Sequence, residues 1–138
     1  YDQYNIMKST LVLLDSYFFD VEATLQANMF DSELDAASEL KKKKYFRASG
    51  VICGVVLEGH LKSICNNHRC KISKKNPTIS TYNDKLKEDG VIDTPVWRHI
   101  QLLGDIRNLC GHKSGKEPTE SQIDDMLIGV KKIISTVF

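Results

Sequence analysis

Residues 107–112 read Arg-Asn-Leu-Cys-Gly-His. A guanidinium is permanently charged, and its planar fork of donors matches the oxygens of a phosphate. Histidine is the side chain that takes up and releases a proton near neutral pH. An Arg107–His112 pair could therefore hold a phosphate and move a proton. On an unbroken α-helix, residues five apart are turned by about 140° around the axis, so the two would not face one target. Gly111 offers a break: a glycine can end the helix and let the imidazole swing back. A plainer reading stays open, in which the same residues are the polar end of an apolar helix.

Other groupings carry less. Cys65, His68 and Cys70 in CNNHRC, with Cys110 and His112, supply five zinc-type ligands. Structural zinc wants paired clusters at regular spacing, such as C-x2-C. These spacings are irregular, and a lone cysteine commonly serves as a small buried hydrophobe. No metal or other cofactor is expected. His60 and His99 are single imidazoles within apolar helices and read as packing residues. The sequence has no Gly-rich phosphate loop, HExxH or GxSxG, so the mechanisms built on them have no residues to use.

The net charge of +1 excludes a polyanion-binding role for the molecule as a uniform field. Its distribution is uneven. Residues 1–40 carry one basic residue, Lys8, and eight acidic ones; residues 41–75 carry ten basic residues and the single acid Glu58; residues 76–138 carry eight basic and nine acidic. A positive middle third draws polyanions, or is neutralised in the fold by the acidic first third; both remain open. Four cysteines in a chain of 138 residues are expected as reduced thiols of a cytoplasmic protein. YDQYNIMKST has neither a basic start nor a continuous apolar segment, so neither a secretory leader nor membrane association is expected. Because the chain opens on Tyr1, it reads as a single domain over 1–138, cut from a longer protein with further domains.

The elements that must position these residues are helical throughout. Met7, Leu11, Leu14, Phe18, Val21 and Leu25 alternate steps of four and three, which predicts a long first helix with an apolar face in the core. Ser32 is the expected cap of a second helix bearing Leu34, Ala37 and Leu40, closed by Lys41–Lys44. A third helix, from near Tyr45 to about Asn66, is apolar around most of its girth and should be the central one. Along it Gly50, Gly54, Glu58 and Lys62 recur every four residues. Glycine costs roughly 1 kcal/mol in a helix relative to alanine, so this stripe predicts a helix packed closely against it, with Glu58 beside that neighbour. A basic loop over 66–78 leads to a short helix over 79–88 stopped at Gly90. Thr94–Pro95 opens the helix that ends in the 107–112 segment, and Thr119 with Gln122 forms a capping box for the last. With no competing strand pattern, the expectation is an all-α bundle of five to six helices.

Arg107, Asn108, three further residues and then His112 match the R-polar-x3-H pattern of the HEPN superfamily. The surrounding WRHIQLLGDIRNLCGH, the VVLEGHLKSIC helix and the flanking long helices are similar too, so the chain resembles a HEPN domain along essentially its whole length. GHKSGK follows the histidine, without the tyrosine and second histidine of the subgroup paired with nucleotidyltransferases. The resemblance implies a helical bundle, often a homodimer. It further implies metal-independent RNA cleavage, of the kind found in bacterial defence and toxin systems. In that chemistry a 2′-hydroxyl attacks the adjacent phosphodiester and leaves a 2′,3′-cyclic phosphate. His112 would then be the general acid or base, Arg107 the phosphate stabiliser and Asn108 an orienting residue, with Glu58 supporting Arg107. Lys71, Lys74, Lys75 and Lys113 would hold the RNA backbone. A HEPN-like module that binds RNA or nucleotide, or only dimerises, is the alternative.

Overall fold

The computed structural model describes residues 2–112 and 115–138, with side chains from Met7 onward. Five helices follow in order: α1 (Asp2–Lys42), α2 (Phe46–Asn67), α3 (Ile79–Glu88), α4 (Thr94–Gly111) and α5 (Glu120–Thr136). There is no strand among the described residues. The fold is an all-α bundle, as the periodicity predicts.

The chain divides into two compact units, 1–32 and 33–138. Two expectations about the first forty residues are corrected. Ser32 does not cap a new helix, because α1 runs through it to Lys42. No proline or glycine interrupts the chain there, and a serine without a breaker beside it is tolerated inside a helix. The stripe Met7–Leu25 is not core. Met7 is 66%, Phe18 63% and Leu25 64% exposed, and Val12, Leu13, Tyr17 and Phe19 are exposed as well. Apolar spacing marks a face as apolar but does not supply an element to cover it.

The core of the second unit is built around α2, which packs against α3, α4 and α5. Val56, Leu57, Leu61, Ile64, Leu86, Ile100, Leu103, Ile123, Met126, Val130 and Ile133 are all but inaccessible. This explains the apolar character of α2. By length and a mean hydropathy of 1.3 it could cross a membrane, yet half of that window is buried in the bundle. The caps hold largely as expected. Thr119 and Gln122 exchange side-chain-to-backbone bonds at the start of α5. At α4 the cap is Asp93, whose carboxylate accepts from Val96 N, one residue before the expected Thr94. Thr78 and Thr81 form a further capping box on α3. Gly90 adopts φ +74° just past α3, a conformation that favours glycine.

Two histidines of α2 and its C-cap tie down the end of α5. His60 Nε2 lies 2.8 Å from the Val137 carbonyl and His68 Nε2 lies 2.7 Å from that of Phe138. Burial lowers the His60 pKa below its ordinary 6.5, outweighing the carbonyl contacts of Val137 and Ile133. The unfolded chain therefore binds this proton more tightly than the folded one. The stability contributed by the neutral ring is complete above the unfolded value and falls away as pH drops through it toward the lower folded value. A His60→Gln variant is expected to lose less Tm than the parent between about pH 7 and about pH 5. Parallel Tm losses in the two proteins would contradict the assignment.

Candidate active site between α2, α3 and α4

The glycine stripe of α2 faces α4. A Cβ on Gly50 would lie 2.3 Å from Cys110 Sγ, and one on Gly54 would lie 2.3 Å from Arg107 Cγ. The aliphatic stem of Arg107 thus fills the space that any other residue at 54 would occupy. The guanidinium continues toward the end of its own helix, where a Cβ on Gly111 would stand 3.1 Å from Nη1. Two glycines on different helices therefore form the groove in which Arg107 lies.

This changes the role expected of Gly111. It does not break the helix: α4 includes Gly111, and the chain leaves helical geometry only at His112, with φ −117° and ψ 128°. The glycine gives room to the guanidinium, and His112, in extended backbone, supplies the break. Its imidazole is exposed.

Arg107 and Asn108 line a cavity of about 390 Å³ together with Glu58, Thr78, Ser80 and Asn83. His112 is not part of its wall. The side chains of Arg107 and Glu58 make no hydrogen bond or ion pair among the described residues, so the carboxylate does not clamp the guanidinium. A second cavity, of about 590 Å³, is lined by Lys71, Lys74, Thr81, Asp84 and Lys85, and shares Thr78 and Ser80 with the first. The start of α3 thus separates a cavity holding the arginine from one bordered by the basic loop. Of the four lysines expected to meet RNA, Lys71 and Lys74 border this second cavity. Lys75 is exposed but lines neither, and Lys113 lies outside the described residues.

The residue that sequence reading missed is Arg47, in the first turn of α2. Its Nη1 donates to the carbonyls of Leu109, Cys110 and His112, each at 2.9 Å. Its Nη2 reaches the Lys116 carbonyl at 3.0 Å and the Glu117 carboxylate at 3.1 Å. The last carbonyls of a helix have no partners within it, and a cation there also meets the negative end of the helix dipole. Arg47 supplies both needs and fixes the backbone of His112. Its only signal in the sequence was membership of the basic middle third. Within that third, Lys41 pairs with Asp124 and Lys42 with Glu39, so part of the positive charge is spent inside the fold.

Cysteine chemistry is suppressed. Burial pushes the Cys53 thiol up to about 12, with Cys110 beside it adding to the rise. Burial likewise raises Cys110 above its ordinary range, outweighing the opposing charges of Arg47 and Arg107. Cys65 also stands at about 12, mainly through burial. The two cysteine clusters do not meet. Cys110 packs on Gly50, whereas Cys65 lies fifteen residues further along α2, roughly 22 Å at 1.5 Å per residue. Among the described residues no three metal-ligating side chains converge.

In this all-α bundle Arg107, which has no side-chain hydrogen bond or ion pair among the described residues, shares a polar cleft with the carboxylates of Glu58 and Asp105. Comparison with protein-family models, with curated proteins and with solved structures yields no match.

Proposed function

We propose that the chain is a HEPN-like, metal-independent endoribonuclease whose site is formed by Arg107, Asn108 and His112. The observation that carries this reading is the state of Arg107. Its stem lies against Gly54 and its guanidinium against Gly111, it has no side-chain hydrogen bond or ion pair among the described residues, and it lines a cavity. A structural arginine would be expected to satisfy its donors internally, as Arg47 does. An arginine held by its stem and left open at its head is preorganised for an incoming oxyanion.

In the proposed reaction the RNA phosphate sits on the Arg107 fork. The 2′-hydroxyl of the preceding nucleotide loses its proton and attacks phosphorus, and the 5′-oxygen leaves with a proton gained, giving a 2′,3′-cyclic phosphate. His112, exposed one residue beyond the glycine over which the guanidinium lies, is the proton carrier. Asn108 on the cavity wall orients the phosphate. One imidazole cannot serve as base and acid at the same moment, so two copies of the chain would each contribute His112. Lys71 and Lys74 extend the positive surface along the strand.

The test is cleavage of a mixed RNA pool in EDTA by this chain and its His112→Ala variant. Loss of acid–base catalysis should slow cleavage by about 10²–10⁴-fold. RNA bound equally by both proteins but cut by neither would favour a binding module.

A further inference from the structure

We propose that the apolar stripe of α1 from Met7 to Leu25 is a self-association seam, covered by the same stripe of a second copy of the chain. The inference concerns a surface and needs no assumption about RNA. It starts from side chains that the fold leaves in water. Residues 1–32 form a compact unit of their own, and the described part of that unit is the first stretch of α1 alone. Met7, Leu11, Leu14, Phe18, Val21 and Leu25 are each more than a third exposed. Helices in water owe most of their stability to packing of an apolar face, so this one asks for a cover.

The spacing says what kind of cover fits. Steps of four and three place the six residues at the a and d positions of successive heptads, the pattern by which a helix lies along an identical helix. None of the six is charged. The acids of this stretch, Asp15, Asp20 and Glu22, fall at e and c positions, off the seam. With two copies parallel and in register, Asp15 comes beside Thr10 of the second copy and Glu22 beside its Tyr17, so no like charges meet. The Tyr17 and Phe18 rings stand edge to face, with centroids 5.9 Å apart. Aromatic residues near the centre of an interface are its commonest anchors.

The extent of the stripe fits as well. Half-exposed side chains of this size offer on the order of 100 Å² each. The six and Tyr17 thus bring roughly 700 Å² per chain, against the roughly 800 Å² that a stable interface takes from each partner. An anionic lipid surface fits less well, since residues 7–29 carry three acids against Lys8 alone and such a surface attracts basic segments. Among the described residues α2, and not α1, is the helix long and apolar enough to cross a membrane.

The experiment is sedimentation equilibrium of the intact chain at micromolar concentrations, where the parent is expected at twice the chain mass. Leu14→Glu and Phe18→Glu each put two carboxylates into the middle of the seam, where a buried charge is costly. Each should raise the dimer dissociation constant by at least about 30-fold, the loss typical of a central anchor. Leu13→Glu is the control, because Leu13 is equally apolar and 70% exposed but lies at a c position, and its dimer should persist. A monomeric parent, a dimer untouched by both seam substitutions, or a Leu13→Glu protein that dissociates as readily would overturn the proposal. RNA cleavage by the same samples separates this inference from the proposed function. A monomeric parent that cuts RNA would remove the seam and leave the ribonuclease, whereas a dimer that cuts nothing would do the reverse.

Discussion

Replacing Arg107 by alanine is expected to slow RNA cleavage by roughly 10²–10³-fold, the loss typical of removing one preorganised donor from a developing oxyanion. The groove makes this variant informative only beside a second one. Arg107 fills the space above Gly54 with its stem and crosses Gly111 with its head. Alanine removes packing and charge together, so some stability is lost with the activity. Arg107→Lys retains most of the aliphatic stem and the charge, but not the planar fork. Lysine should therefore restore the parent Tm while recovering only part of the rate. If Arg107→Lys were fully active, a point charge would suffice and bidentate phosphate recognition would be wrong. If Arg107→Ala cut RNA at the parent rate, the guanidinium would have no part in the reaction.

Arg47→Met should change two observables, stability and turnover. The substitution leaves the carbonyls of Leu109, Cys110, His112 and Lys116 without the donor they share. The ion pair with Glu117 adds little, since that glutamate is 79% exposed and such pairs are worth at most about 1 kcal/mol. The carbonyls matter more. Bonds to a charged donor are worth roughly 1.5–3 kcal/mol each before sharing and water replacement reduce the sum, so a total loss of about 2–4 kcal/mol is expected. For a domain of this size that lowers Tm by roughly 10–20 °C. Well below the new Tm, kcat should fall while KM stays near the parent value, because His112 loses its fixed backbone whereas Arg107 and the cavity remain. A Tm loss with kcat unchanged would make Arg47 a structural cap and nothing more.

The helices of the second unit were legible because their signals are local. Apolar spacing and caps such as Thr119–Gln122 act within a few residues, and α2, α3 and α5 fall where those signals place them. The Gly50–Gly54 stripe also foretold a close neighbour, although only the fold shows it to be α4 through Cys110 and Arg107. The first unit was misread for a related reason: periodicity reveals that a face is apolar, not that anything covers it. Met7 to Leu25 have the spacing of a core stripe and are exposed. At the site, spacing singled out Arg107 and His112 but could not show how they are held. Gly111 was read as a helix breaker when its missing side chain instead makes room for a guanidinium. Arg47 is sixty residues and more from the carbonyls it binds, and no local pattern encodes that.

The most direct test of the central claim is the product of RNA cleavage in EDTA by the parent chain and by His112→Ala, read at the newly formed 3′ end. Metal-independent cutting that leaves a 2′,3′-cyclic phosphate, and that the variant loses by about 10²–10⁴-fold, is the result expected. Cutting that stops in EDTA, survives His112→Ala, or leaves a plain 3′-hydroxyl would contradict it, as would RNA left intact by the parent.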